Sequence, residues 1–275
     1  MISPERLIHE VQTTPTMNAL RETIRRIEAG RKRASAILPF GVAELDARLP
    51  GGGLAMGALH EVAGGGNGAI DGAAAALFAA GIMARTKGPV LWCLTRPDLF
   101  APAIAQAGLS ADRVIYVEAG DETSVLTCFE EGLRHGGLGG VVAELGRLSM
   151  THSRRLQLAA ESSGTPGIAL RRWRRQADAS DFGQPTAATT RWRVSVLPSA
   201  PLPVPGIGRP RWHVELIRCR AGESADFEVE ACDAQGRLAV SAELADRSIQ
   251  SGAARLGSTA RAADAGAHGY RTAVA

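Results

Sequence analysis

The residues of this chain best placed for chemistry are a glycine run, Gly64-Gly65-Gly66-Asn67-Gly68, followed by Ala69, Ile70 and Asp71. Apolar, strand-like sequence precedes the run and an alanine-rich helical pattern follows it. A loop of that kind opening a helix holds phosphate, because free N–H groups at a helix N-terminus face an anion. The Walker A form of the loop is GxxxxGK[ST]. Laid from Gly64, the second glycine is Ala69, the lysine is Ile70 and the hydroxyl residue is Asp71. The chain has only two lysines, Lys32 and Lys87, against 29 arginines. The lysine that would meet the β/γ-phosphates and the hydroxyl that would hold Mg²⁺ are both missing, and an aspartate at the helix start repels phosphate. The loop shape is kept without its hydrolytic chemistry.

A second candidate is Glu144, which closes the apolar run Val141-Val142-Ala143 where a Walker B strand carries its acid. A polar group capping the next turn explains it equally well. The third is a basic and aromatic stretch. Residues 154–220 hold twelve arginines against Glu161, Asp178, Asp181 and Glu215, a net +8 in a chain of net +3. Arg171, Arg172, Trp173, Arg174, Arg175, Arg191, Trp192, Arg193, Arg211 and Trp212 interleave there. Such a pattern suits a surface that tracks a nucleic-acid strand, through phosphate pairing and base stacking. It suits a protein interface as well, and equally a half-buried sheet with solvated arginines. His60 and Cys93 read as core residues, and Ser162-Ser163-Gly164 lacks the context of a nucleophile elbow.

The elements that must position these residues alternate between strands and helices. Strands are expected over 58–63, 89–94, 114–117, 140–143 and 168–170. Helices are expected over 71–85, 98–107, 122–134 and 149–161, so the strands form a parallel sheet covered on both faces. Beyond Asp178 the pattern changes. Residues 191–197, 211–217 and 227–231 alternate as half-exposed strands do, and Pro198–Pro205 between them is a turn or mobile loop. Ahead of the core, Thr14-Pro15 opens a helix whose Met17, Leu20, Ile24 and Ile27 share one stripe, ended by Gly30 and a basic linker. The expected organisation is a helix and linker over 1–36, an α/β domain over 37–245 and a flexible tail over 246–275, poor in large apolar residues.

Composition sets the outer bounds. At 275 residues and 45% apolar content the chain buries a sizeable core, and 4% aromatics leave small aliphatic side chains to build it. The most apolar run, 72–84, is too short for a membrane span, and the first residues lack a secretory signal. Four scattered cysteines and six scattered histidines suggest neither a disulfide framework nor a metal site. The expectation is a cytoplasmic protein with no membrane association, no metal and no cofactor.

The stretch from Leu38-Pro-Phe-Gly41 through Leu45-Asp46 to Leu49-Pro-Gly-Gly-Gly53-Leu54-Ala-Met56-Gly57 and Glu61 resembles the start of the RecA core. Within that superfamily the chain is most similar to the ImuA family, the RecA/SulA-like accessory proteins of bacterial damage-induced mutagenesis cassettes. The resemblance runs over 37–240 and is strongest over 38–100 and 140–175, including Gly167-Ile-Ala-Leu-Arg-Arg-Trp173. It implies a RecA-like α/β fold with a mostly parallel sheet and a degenerate Walker A loop. Where RecA carries its catalytic glutamate this chain reads Thr95-Arg96-Pro97, with no acid before Asp98. No catalytic residue is therefore carried over, and the chain is not expected to be an enzyme. The segment equivalent to 175–190 begins a DNA-binding loop in RecA, and here it reads as mobile.

What the resemblance implies is an adaptor in SOS-induced translesion synthesis. Its partners would be an ImuB-like Y-family polymerase relative and an error-prone DnaE-type polymerase, with RecA and single-stranded DNA as further candidates. Two alternatives stay open. One is a DNA-dependent ATPase with an atypical loop, against which Ile70 and Asp71 argue. The other is a SulA-like inhibitor of cell division, which the arginine–tryptophan stretch and the RecA-like amino-terminal segment make less fitting.

Overall fold

The computed structural model describes residues 36–240, apart from 67, 174–178, 180, 181, 201, 203 and 207. The helix expected over 14–30, its basic linker and the tail from Asp246 lie outside the described residues.

In chain order the elements are β1 (Ile37–Leu38), α1 (Ala43–Asp46), β2 (Leu54–Ala55), β3 (Leu59–Gly64) and α2 (Gly68–Ala84). There follow β4 (Val90–Leu94), α3 (Ala101–Gln106), β5 (Val114–Glu118), α4 (Glu122–His135) and β6 (Gly140–Leu145). The remainder are α5 (Met150–Ser163), β7 (Gly167–Arg171), β8 (Thr190–Leu197), β9 (Arg211–Cys219), β10 (Ala225–Glu230) and β11 (Ala239–Val240). Nine strands form one sheet in the order β11-β10-β9-β8-β3-β7-β6-β4-β5. From β8 to β5 every pairing is parallel, and from β8 outward to β11 every pairing is antiparallel. This is an α/β architecture with a mostly parallel sheet, as expected.

Strands β3, β6 and β7 are buried along their whole length. Their side chains alternate between two cores, which is why they read as continuous apolar runs. On one face Leu59, Cys93, Val141 and Ala169 pack with Phe129 and Leu133 of α4 and Leu156 and Ala160 of α5. On the other, Val62, Trp92, Val142 and Ile168 pack with α2, α3 and the antiparallel strands. That second core is not purely aliphatic, as composition suggested. Phe40, Phe78, Trp192 and Trp212 form a cluster with ring centroids 5.6–6.4 Å apart. The few aromatics of the chain are concentrated where they fill most volume.

The amino-terminal motif is structural. Asp46 accepts the N–H groups of Phe40 at 2.7 Å and Gly41 at 2.9 Å, closing the turn ahead of α1. Gly41 has φ of +79°, a conformation glycine adopts without strain. A Cβ at Gly53 would lie 2.7 Å from the backbone nitrogen of Pro39, so only glycine lets the chain pass the β1 strand there.

Candidate functional site: a degenerate phosphate loop and the sheet edge around it

The glycine loop lies at the carboxyl edge of the parallel strands, where α/β folds place their ligands. It leaves the end of β3 and runs into the first turn of α2, as its sequence context implies. Two of its groups bond within the protein. Gly65 donates its N–H to the carbonyl of Val194 at 2.9 Å. Asp71 is 3% exposed, and its carboxylate accepts the N–H of Val196 at 2.9 Å. A Cβ at Gly65 would come within 2.8 Å of the Asp71 Oδ2, and one at Gly64 within 2.7 Å of the Asp71 backbone. The aspartate thus complements the helix dipole from inside and takes the place of an anion. Ile70, at the lysine position, is 57% exposed. Asn67 lies outside the described residues. The loop is a brace between β3, α2 and β8.

Beside it, Glu144 and Asp98 share one cation. Arg172 contacts Glu144 Oε2 at 2.5 Å and both carboxylate oxygens of Asp98 at 2.8 and 3.2 Å. The other oxygen of Glu144 accepts the indole N–H of Trp92 at 3.1 Å. Glu144 is therefore not a turn cap, and its two oxygens are already spent. Partial burial works against the Arg172 charge, but the bonds to Asp98 and the charge of Glu144 outweigh it, and its pKa is raised above the ordinary value.

Sequence reasoning missed Glu61. This fully buried carboxylate in β3 contacts Arg171 Nη1 at 2.9 Å and Arg191 Nη2 at 3.1 Å, and accepts the Thr186 hydroxyl. Arg191 also donates to the carbonyl of Gln184 at 2.8 Å, and Arg171 to that of Gly146 at 2.9 Å. The signal available in the sequence was a lone acid inside an apolar strand, which requires a buried partner. Phe182 sits over this cluster, 5.1–6.0 Å from the guanidinium carbons of Arg191, Arg171 and Arg193, and packs edge-on against Trp173. Arg218 donates to the carbonyl of Thr186 at 2.7 Å, and Ser153 accepts the N–H of Ala187 at 3.0 Å. Of the segment 175–190, expected to be mobile, residues 175–178, 180 and 181 lie outside the described residues, and 182–190 are bonded to the protein from several sides.

The arginine–tryptophan surface is corrected by these positions. Trp192 and Trp212 are in the core at 0% and 2% exposure, and Arg171 and Arg191 are buried in the Glu61 cluster. Arg193 pairs with Glu215 at 3.6 Å and Arg211 with Glu228 at 2.8 Å. Arg209 pairs with Glu230 at 3.1 Å, and His213 lies 3.4 Å from Asp226. The open face of β8–β10 is thus laced with carboxylates, which a phosphate backbone would have to approach. Arg172 and Trp173 remain partly exposed, while Arg174 and Arg175 lie outside the described residues.

Two clefts meet at Asp98, Arg172 and Trp173. One, about 670 Å³, is polar and lined by Arg96, Asp121, Glu122 and Arg147 among others. The other, about 560 Å³, runs along the glycine loop between α2 and α3 and is walled by Leu77, Leu99, Phe100 and Ile104. His60 is a satisfied core histidine. Its Nδ1 faces the Thr190 hydroxyl at 2.7 Å and its Nε2 the carbonyl of Ala55 at 2.9 Å, and burial lowers its pKa to about 4. Burial pushes the Cys93 thiol up to about 12, so it is inert packing. Among the described residues no cluster of His, Cys, Asp and Glu is arranged to hold a metal ion, and no helix is long and apolar enough to cross a membrane.

No family model matches the chain. It is 39% identical over 218 residues to Protein ImuA of two Caulobacter vibrioides strains, NA1000 / CB15N and ATCC 19089 / CIP 103742 / CB 15. Each match covers 76% of this chain and 88% of the relative. Among solved structures, the RadB recombinase aligns with a TM-score of 0.47 and 17% identity, covering 74% of this chain and all of that one.

Proposed function

The chain belongs to the ImuA family, and from that premise we propose that it serves damage-induced mutagenesis as a non-hydrolytic adaptor. In this reading it joins an ImuB-like polymerase relative and an error-prone replicative-type polymerase to damaged DNA in the bacterial cytoplasm. The observation that carries the non-catalytic part is the fate of the phosphate loop. Asp71 spends its carboxylate on the Val196 N–H, and Ile70 stands in solvent where a phosphate-binding lysine would reach inward. Asp98, which lines the cleft along the loop, and Glu144 are held by Arg172 rather than left open for Mg²⁺. Binding to partners then rests on surfaces, with no nucleotide cycle to drive it.

The test pairs two assays on the purified full chain. ATP turnover is measured with and without single-stranded DNA, and capture of the ImuB-like protein of the same cassette is measured with and without ATP. Capture indifferent to ATP, with turnover no higher than buffer, is expected. Turnover stimulated by DNA would return the chain to the ATPases.

A further inference from the structure

We propose that the outer edge of β5 is a dimer interface, on which β5 of a second copy adds antiparallel across a twofold axis at Tyr116. Among the described residues β5 is the last strand of the sheet and pairs only with β4, in unbroken register from Val90↔Val114 to Leu94↔Glu118. Ala119 donates its N–H to the carbonyl of Leu94 at 3.0 Å, which sets the parity of the strand. Backbone groups of alternate residues turn to opposite sides, so Ile115 and Val117 face β4, while Val114, Tyr116 and Glu118 face outward. The Val114 N–H is spent on the carbonyl of Ala111. The edge therefore offers the Val114 carbonyl and both backbone groups of Tyr116 and of Glu118.

Sheet edges are normally blunted by lysine, proline, a bulge or short length. The opposite edge follows that rule, since β11 is two residues long. β5 runs for five residues, Val114-Ile-Tyr-Val-Glu118, with no lysine, no proline and no shift of register. None of the five is buried, because α4 packs on β6 and β4 instead. Val114 and Val117 lean on the two cores, but Ile115 and Tyr116, 49% and 38% exposed, join neither. As strand neighbours they point to opposite faces of the sheet, so the edge is apolar on both sides.

A second copy satisfies this edge with the strand's own groups. With Tyr116 opposite Tyr116 of the other copy, the two residues exchange N–H and carbonyl, and each Glu118 N–H meets the other copy's Val114 carbonyl. The donor missing at Val114 leaves over only the carbonyl of Glu118, an exposed residue at the end of the ladder where water reaches it. Ile115 lies opposite the other copy's Val117, with Cα atoms about 4.5 Å apart, and is covered by it. The two tyrosines lie side by side on the other face. The Glu118 carboxylates stand at opposite ends of the pairing, whereas a parallel copy in register would set them side by side. Because the same strand serves both chains, the assembly closes as a dimer.

The inference stands apart from the adaptor reading, since self-association needs no other partner. The test is sedimentation equilibrium of the full chain over about 1–300 μM, a range suited to the weak affinity of a small interface. A monomer–dimer equilibrium is expected. Tyr116→Pro removes an outward N–H and leaves the pairing with β4 intact, and Ile115→Lys puts a charge on the edge. Both should raise the dissociation constant about tenfold or more, with circular dichroism melts close to wild type. Register is read by oxidation of single-cysteine additions. Tyr116→Cys should give a disulfide-linked dimer, because paired Cα atoms about 5.5 Å apart are within disulfide reach. Glu118→Cys, whose two copies stand apart, should not. If Tyr116→Pro fails to fold, Ile115→Lys and the two cysteine variants still decide. A wild type monomeric throughout, a dimer indifferent to both edge variants, equal cross-linking at 116 and 118, or assembly growing past the dimer each overturns the proposal.

Discussion

The carboxylate of Asp71 and the backbone N–H of Val196 meet at 2.9 Å across 125 residues of sequence. Through that bond the first turn of α2 and the end of β8 form one unit. Replacing Asp71 with Ala orphans a part-buried N–H and should lower unfolding free energy by about 1–3 kcal/mol. Urea unfolding measures this, and the same variant should gain no ATP turnover, because no lysine comes with the change.

Removal of Glu61 has a larger effect. Glu61→Ala strands the Arg171 and Arg191 charges in the sheet, at a cost of about 3–5 kcal/mol. The triple change Glu61→Leu, Arg171→Met and Arg191→Met should recover much of that loss, since an apolar set needs no compensation. Denaturant midpoints for the single and triple variants decide the matter; a triple variant no more stable than the single would disprove a charge-compensation origin.

Trp192 and Arg193 are sequence neighbours with opposite fates. Trp192→Ala empties a fully buried site and should cost about 3–5 kcal/mol. Arg193→Ala breaks a 3.6 Å pair between partly exposed groups and should change stability by about 0.5 kcal/mol or less. Thermal melts of the two proteins give the comparison directly.

His60 sets an acid limit. Its pKa is about 4 in the folded chain against 6.5 when exposed, so the unfolded state binds the proton first. Its contribution is intact above pH 6.5 and is lost as pH falls toward 4, up to roughly 3 kcal/mol. A His60→Gln variant should show a flatter stability profile over that window, read by urea midpoints at several pH values.

Much of the core was legible because parallel strands buried on both faces carry uninterrupted apolar runs. Residues 140–145 and 167–171 are instances, and the capped helix over 122–135 is another. The two-residue strands β1, β2 and β11 were not legible, being too short to show a period. The arginine–tryptophan stretch misled for a specific reason. Alternation of Arg and Trp along β8 and β9 puts the two residue types on opposite faces, so Trp192 and Trp212 went inward as Arg193 and Arg211 went out. The charge excess over 154–220 also ended just short of Glu228 and Glu230, which pair with Arg211 and Arg209 of that stretch in space. Glu61 and its arginines, 110 and 130 residues away, could not be paired from sequence because only the sheet order brings them together.

The same sheet order governs how the protein is made. Strand β3 sits at the centre, flanked by β7 and β8, and His60 lies opposite Thr190, 130 residues later. At about 5–20 residues per second, roughly 6 to 26 s pass between synthesis of the central strand and of its last neighbour. Through that interval an apolar ribbon and its glycine loop wait without a partner on the β8 side. Non-local closure of this kind is slow and leaves an apolar strand edge open until β8 emerges.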